Sequence, residues 1–463
     1  MAPQARHLRN QNSTMNQPLP GDLHAFFDQH GIREVECIFP DVSGYPRGKL
    51  MPAASFAAGN ELRIAQAIPM QCVTGDYSYD PVFPDSDPDL RLVPDYRTLK
   101  RAPWAQQPRA YAIHDCVELD GSPCAFSARA LLASVVARYA ALGLTPVVAP
   151  EIEFYLTAPC TDPAIPLTPP QARNGRAEAG QSAFSMNMLN ELAPFWDAFR
   201  SALAGLDIQA DTWLHEVGCS QFEINLLHGD PVAVADQAFL FKYVAKEIAI
   251  QHGLNAVFMA KPIAGAQGSS MHLHQSVLDR AGRNIFSEED GQPSARLGHF
   301  IGGLQTYGPD LMLLFAPFVN SYRRFVAGTQ APINLAWGYD NRTVGLRIPH
   351  STAAARRVEN RIAGADANPY LAIAASLAAG LAGIEEGLAP SAPVADGANA
   401  YAQSHGLERS FLPAHARLAG SAAARRLLGD RFVTGYCAIK ALEFESYLHE
   451  VSAWERRFLL PQV

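Results

Sequence analysis

The sequence predicts an α+β protein of two domains, and three observations carry that expectation. Between Leu23 and Leu119, short mixed runs such as REVECIFPDVSGYPRGKLMP and RAYAIHDCVELDG are broken by Pro, Gly and Asp, the punctuation of a small β-rich unit. FSARALLASVVARYAALG then sets Leu131, Leu132, Val135, Val136 and Tyr139 at helical spacing behind Ser127 as N-cap, so a domain boundary falls just before it, near Ser122. Beyond it, helical stretches such as LAPFWDAFRSALAGL and ADQAFLFKYVAKEIAIQHG alternate with short strands, without an internal repeat. The expected division is a disordered tail over 1–20, rich in Gln, Asn and Pro, a small domain over 21–121 and a large one over 122–463. LAIAASLAAGLAGI, from Leu371 to Ile384, is too short to span a bilayer and reads as a buried helix; AIKALEFESYLHEVSAWERRFL closes the chain as a helix-like segment.

The composition bounds the function. With 463 residues, 48% of them hydrophobic and 18% charged, the chain can bury a large core. A net charge of −8, with no block of Lys and Arg to neutralise phosphates, argues against a nucleic-acid partner and for a small-molecule enzyme. The cysteines, Cys37, Cys72, Cys116, Cys124, Cys160, Cys219 and Cys437, form an odd set without a CxxC pair. Neither a disulfide framework nor a structural zinc site is expected, and the reducing cytoplasm is the expected compartment.

Four segments read at period 2, polar residues on one face and apolar on the other. In VVAPEIEFYL, Glu151 and Glu153 point one way while Ile152 and Phe154 point the other. In HEVGCSQFEINL, Gly218 turns the chain between Glu216 and Glu223, and Gln221, Glu223 and Asn225 share a face. GSSMHLHQS lines up His272, His274 and Ser276 against Met271 and Leu273, and ARRVENRIA sets Arg357, Glu359 and Arg361 together. If these faces converge, five carboxylates and two imidazoles surround one space, a self-repelling arrangement that calls for cations. Oxygen-rich ligation with a single imidazole suits Mg²⁺ or Mn²⁺ better than zinc. Arg324, Arg342, Arg347, Arg357 and Arg361 offer planar forks for carboxylate and phosphate oxygens, and metal ions with arginines describe phosphoryl transfer. Taken singly, each segment has an ordinary reading: paired glutamates on a strand usually face water, and Arg-Arg pairs are usually surface charge. Periodicity alone does not bring the four faces together.

A resemblance does. KPIAGAQ followed by GSSMHLHQS resembles the ATP-binding signature of the glutamine synthetase family, APEIEFYL its first metal-ligand strand and HEVGCSQFEINL its second. NSYRRFVAG, DNRTVGLRIP, ARRVENR and DANPYLAIAASLAAGLAGI follow in that family's order, and the likeness runs from about Val35 to the C-terminus. It implies a small N-terminal β-grasp domain and a large catalytic α/β domain whose curved antiparallel sheet forms the active-site funnel. It also implies a homo-oligomer, a dodecamer of two stacked hexameric rings with active sites between subunits. Carried over by position, Glu153, Glu216 and Glu223 would hold one metal ion, and Glu151, His272 and Glu359 another, in a site of two or three ions. His274, Ser276, Arg347 and Arg357 would serve ATP, and Arg342 and Arg361 the phosphoryl group in flight. Gly268, with Gln267 before it, would meet L-glutamate, and Arg324 would clamp its α-carboxylate. The implied reaction activates the glutamate side chain as γ-glutamyl phosphate, which an amine then attacks.

Three departures bear on the amine. Gln267, Gly268, Ser269 and Ser270 stand where the family reads Gly-Ser-Gly after a different residue, and Ser270 adds a Cβ where the backbone passes close to ligand. In the small domain AIPMQCVTGDYS lacks the Asp-Gly-Ser-Ser loop whose aspartate helps bind ammonium, leaving Asp76 as the available substitute. Six residues after Arg324 the family places a glutamate that takes a proton from ammonium, and here stands Gln330, neither base nor anion. With RRFVAG, the WGYDNRT run, SQFEINL and the closing WERRFLL, this resembles the γ-glutamylpolyamine synthetase or glutamate–amine ligase branch, whose substrate is an organic primary amine. Two other readings stay open: a true glutamine synthetase using ammonium, and an inactive relative kept for binding or regulation. GDYSYDPVFPDSDPD interleaves Asp76, Asp80, Asp85, Asp87 and Asp89 with Tyr77, Tyr79 and Phe83, which reads as an acidic aromatic rim for a polyamine or, more simply, as structure. Tyr401 falls near the tyrosine that the family adenylylates, without a matching motif around it.

Overall fold

A computed structural model of the chain describes residues 23–78, 83–327, 329–397 and 406–463. The N-terminal tail, Tyr79, Asp80 and Tyr401 therefore lie outside the described residues. The chain adopts the expected α+β architecture, with two sheets.

The first sheet is built from β1 (Glu34–Pro40), β2 (Pro46–Pro52), β3 (Leu62–Ala65), β4 (Asp89–Pro94), β5 (Lys100–Arg101) and β6 (Arg109–Val117), in the order β2-β1-β6-β4-β3 with β5 added to β6. Its centre is the parallel pair β1–β6, and its other pairings are antiparallel. Both faces are buried. Val35, Cys37, Ala110 and Ala112 pack under the helices Leu23–His30 and Ala53–Ala57, while Phe39, Leu92, Tyr111 and Ile113 join the main core.

The second sheet comprises β7 (Thr145–Thr157), β8 (Ala210–His215), β9 (Gln221–Leu226), β10 (Asn255–Val257), β11 (Met271–Leu278), β12 (Trp337–Tyr339), β13 (Leu346–Ile348) and β14 (Val358–Asn360). Its order is β12-β13-β14-β11-β7-β9-β8, with β10 also on β7. Apart from the parallel β12–β13 pair, neighbouring strands run antiparallel. Period-2 alternation decides which side is core: Ile152, Phe154, Met271 and Leu273 are fully buried on the apolar side.

Helices back this sheet. Ser127 caps Ala128–Ala141 by accepting from the Ala130 N–H, as its sequence context indicates. The Ala- and Gly-rich stretch forms the buried helix Pro369–Glu386, and its small residues have a steric reason. Where it crosses Ala295–Tyr307, a Cβ on Gly383 would lie 2.6 Å from the Gly303 backbone, so the two helices meet at a distance that only glycine permits. The C-terminal segment read as one helix is two, Asp430–Leu448 and Ala453–Phe458. Ser452 and Glu455 form a capping box that starts the second.

The sheets are locked together by buried polar contacts. Arg129, 4% exposed, bonds Asp95 at 2.7 Å and Asp115 at 2.6 Å from the first sheet's region and Asp236 at 2.9 Å from the helix Pro231–Gln251. Asn368 caps the Pro369–Glu386 helix and donates to the carbonyls of Asp41 and Val42. No described helix is long and apolar enough to cross a membrane.

Candidate active site

The second sheet brings the polar faces together by register. Glu151 on β7 pairs with His272 on β11, Glu153 with Glu223 on β9, and His274 with Glu359 on β14. Two groups of possible ligand atoms lie within 4.8 Å of one another, Glu151–His272–Glu359 and Glu153–Glu223–His272. His272 stands at their junction. Glu216 lies in the turn between β8 and β9, outside both groups, although its charge acts on Glu153 and Glu223.

The electrostatics of these carboxylates show what the space requires. Burial, followed by the charge of Glu216, pushes Glu153 up to about 7. Burial and then Glu151, Glu153 and Glu216 raise Glu223 well above the ordinary glutamate value, and burial raises Glu216. Burial also acts against Glu151, but hydrogen bonds from His272 and His274 hold its carboxyl low. Glu359 is held down to about 2, because Arg361 and the two histidines outweigh its burial. Burial and Arg361 push His272 down to about 4, so at neutral pH its imidazole is uncharged, the form that ligates a metal. One side of the cluster thus lacks enough positive charge to ionise, and a divalent cation beside Glu153 and Glu223 would supply it. The donor set, carboxylate oxygens and one imidazole, fits Mg²⁺ or Mn²⁺.

Neighbouring side chains aim the carboxylates. Ser270 donates to Glu153 from both its N–H and its hydroxyl. The added Cβ at this position therefore carries a hydroxyl that anchors a candidate ligand, a role the sequence did not disclose. Asn225 donates to Glu151 at 2.9 Å, and Gln221 donates to the Gly268 carbonyl at 2.9 Å and to Ser269 Oγ at 3.2 Å. Alternation alone places both residues on the polar face of β9. Tyr155, not singled out by the sequence, donates to the Gln267 carbonyl at 2.8 Å. A Cβ on Gly268 would fall 2.7 Å from Arg324 Cγ and 2.8 Å from the Ala260 carbonyl oxygen, so the turn over Arg324 requires glycine.

The arginines divide into those tied into the wall and one that is open. Arg361 bonds Glu359 at 2.5 Å, and Arg347 bridges Glu359 at 2.9 Å and Asp340 at 3.0 Å. Arg357 donates to His274 Nδ1 at 2.9 Å, while His274 Nε2 lies 2.8 Å from Glu151. His274 and Arg357 are thus linked to the carboxylate cluster itself, and Ser276 continues the same face of β11 at its half-buried end. Arg342 is exposed and close enough to Glu216 to act on its charge. Arg324, 3% exposed, donates to the backbone carbonyls of Ile362 at 2.9 Å and Arg361 at 2.8 Å. Part of its guanidinium is therefore committed to holding the strand segment that carries Arg361. The side chain of Gln330 is exposed, and its backbone carbonyl lies 3.5 Å from an Arg361 terminal nitrogen.

The small-domain loops differ in part from expectation. Asp76 accepts from Thr74 at 2.7 Å in a tight turn whose Val73 N–H bonds Glu443. Phe83 is buried against Phe126 with ring centroids 4.7 Å apart, so it belongs to the core and not to an aromatic rim. Asp87 accepts from the Ala67 N–H at 3.0 Å, a structural use.

A curved sheet floored by carboxylates and imidazoles and walled by guanidinium groups is the class of site that handles phosphoryl and carboxylate groups. The glutamine synthetase catalytic-domain family model matches residues 125–459. The chain belongs to the glutamine synthetase family of ligases, and its relatives include glutamate–amine ligases. It is 34% identical to the glutamate–isopropylamine ligase of a Pseudomonas species, over 93% of this chain and 95% of that one. It is 33% identical to the glutamine synthetase of Pyrococcus abyssi (90% and 92% covered) and 35% identical to the γ-glutamylputrescine synthetase of Escherichia coli (90% of each). Among solved structures, a GmaS–ADP complex superposes with a TM-score of 0.82 at 29% identity, covering 95% of this chain and 99% of that one.

Proposed function

We propose that this ligase joins the γ-carboxyl of L-glutamate to an organic primary amine, a small monoamine or a polyamine, at the expense of ATP and through γ-glutamyl phosphate. The observation that carries the reading is Gln330: a neutral amide follows Arg324 by six residues, and its backbone lies beside Arg361. An ammonium ion must be bound as a cation and give up a proton before it attacks, and a glutamine side chain supplies neither an anion nor a base. An alkylamine is protonated near neutral pH as well, so its advantage over ammonium in this proposal comes from contacts with its carbon substituent. The relatives include enzymes named for isopropylamine and putrescine, which supports the reading, and enzymes named for glutamine, which keeps the ammonium alternative as its rival.

In this proposal Glu153, Glu216 and Glu223 hold one metal ion and Glu151, His272 and Glu359 the other. Bound there, Mg²⁺ or Mn²⁺ supplies Lewis-acid neutralisation of phosphate charge. His274, Ser276, Arg347 and Arg357 position ATP. Arg342 and Arg361 stabilise charge on the transferring phosphoryl group, the contribution that usually dominates such catalysis. The Gln267–Gly268 turn and Arg324 receive glutamate, and Arg324 also fixes Arg361 through its backbone. We further propose the small domain over 21–121 and the catalytic domain over 122–463, a dodecameric assembly with sites between subunits, and a cytoplasmic location.

The test is ADP release that requires glutamate, a divalent metal ion and an amine. Release stimulated by an organic amine supports the proposal, and a protein that releases no ADP with any amine is a binding or regulatory relative.

A further inference from the structure

We propose that Glu178 is a positioning residue that fixes the turn carrying Glu216 and so sets the carboxylate cluster for its metal ion. The inference rests on the reading of that cluster as a metal site.

Glu178 lies in the long irregular segment between β7 and the helix Met186–Glu191, within a run of exposed residues from Arg173 to Gln181. Alone in that run it turns inward, its side chain 10% exposed. One carboxylate oxygen, Oε2, accepts from His215 Nε2 at 3.0 Å and from the Ser220 N–H at 2.6 Å. His215 ends β8 and Ser220 immediately precedes β9, so a single oxygen ties together both ends of the turn that holds Glu216. The anchor points are themselves fixed. The His215 ring is fully buried and stands edge-on to Phe222 at 5.0 Å, and the Ser220 carbonyl accepts from Leu156 on β7.

Further bonds join the same partners. Cys219 Sγ donates to the Gly180 carbonyl at 3.1 Å, and the Phe184 N–H donates to the His215 carbonyl at 2.8 Å. Inside the turn Glu216 N–H bonds the Gln221 carbonyl, and Gly218 N–H bonds Gln221 Oε1. Gln221 passes the restraint to the Gly268 carbonyl, so the turn under Glu216 and the turn at the glutamate position share one support.

Two features argue against a tether that serves stability alone. Ser220 is held at φ 56°, a left-handed conformation costly for a residue with a side chain, which persists where surrounding contacts impose it. Glu178 Oε1 and His215 Nδ1 are buried without a protein partner, so the cluster carries a desolvation cost along with its bonds. Without the Glu178 carboxylate, Ser220 can relax and carry the Glu216 backbone away from Glu153 and Glu223.

The experiment titrates Mn²⁺ into the wild-type chain, Glu178→Gln and Glu178→Ala, reading the thermal-unfolding midpoint without substrates and, separately, the rate at each metal concentration. Loss of a group that orients a metal ligand typically costs tenfold or more in metal affinity. Glu178→Ala is expected to need about tenfold more Mn²⁺ for half its shift and half its rate, with kcat at saturating metal within about threefold of wild type. Glu178→Gln, which keeps an acceptor oxygen, is expected to recover most of the difference. Where Glu178→Ala does not fold, Glu178→Asp, which keeps the charge and shortens its reach, is read in its place. A folded variant that half-saturates at the wild-type metal concentration overturns the positioning role alone. A wild-type chain that shows no Mn²⁺ shift overturns the metal-site reading beneath it.

Discussion

Ser270 gives Glu153 two hydrogen bonds, one from its backbone N–H at 2.9 Å and one from its hydroxyl at 2.8 Å, and so engages both oxygens of a carboxylate at the centre of the acid cluster. Ser270→Ala keeps the first bond and loses the second. It is expected to lower stability by about 1 kcal/mol and to raise the metal concentration for half-maximal activity about tenfold. A metal titration that leaves the midpoint unchanged would show that the hydroxyl does not aim Glu153.

Arg324 has a structural task alongside its proposed contact with substrate, because it donates to the carbonyls of Arg361 and Ile362. Arg324→Ala leaves both acceptors buried, at about 1–3 kcal/mol each. Arg324→Lys, with one point-like head group, is expected to keep part of that stability while raising the KM for glutamate. Denaturant melts paired with glutamate kinetics separate the two effects, and a lysine variant with unchanged KM would remove Arg324 from substrate binding.

Gln330→Glu restores a base and an anion at the position where the ammonium-using relatives are expected to carry one. Residual activity with ammonium is expected to rise by about tenfold or more, since a positioned general base contributes at least that much. Equal ammonium rates for the variant and the wild type would show that the position does not accept the proton.

The carboxylate cluster also sets a pH dependence. Glu153 is pushed from a usual value of 4.5 up to about 7 by burial and by Glu216. Across that window Glu153 in the metal-free folded chain holds a proton that it has released in the unfolded chain, so its own contribution to stability falls as pH rises. A bound cation favours the ionised form and reverses the trend. The rise in thermal midpoint on adding Mn²⁺ is therefore expected to be larger at pH 8 than at pH 5.5, and a pH-independent rise would contradict this picture of the cluster.

Much of the site was legible because strands have a period of 2. Alternation placed Glu151 opposite Ile152 and His272 opposite Leu273, and the register of β7, β9, β11 and β14 brought those faces together. Which strands become neighbours depends on contacts distant in sequence, and only the order of motifs supplied it. The supports were harder to see. Ser270 looked like an intrusion until its hydroxyl was found on Glu153, and Glu178 sits in a loop whose sequence carries no periodic pattern. Phe83 read either as a rim residue or as structure, and its packing against Phe126 decides for structure, a contact distant in sequence that the acidic run around it did not reveal. The break at Ser452 was written in the sequence as Ser-x-x-Glu, inside a run whose overall helical character hid it.

The central claim is that the absence of an acid at Gln330 marks a site for an organic amine. The most direct measurement is kcat/KM for glutamate-dependent ADP release with ammonium set against monoamines, diamines, polyamines and aromatic amines, at one metal concentration and one pH. At least one organic amine is expected to exceed ammonium clearly. Greater kcat/KM with ammonium than with every organic amine would contradict the account and make the protein a glutamine synthetase.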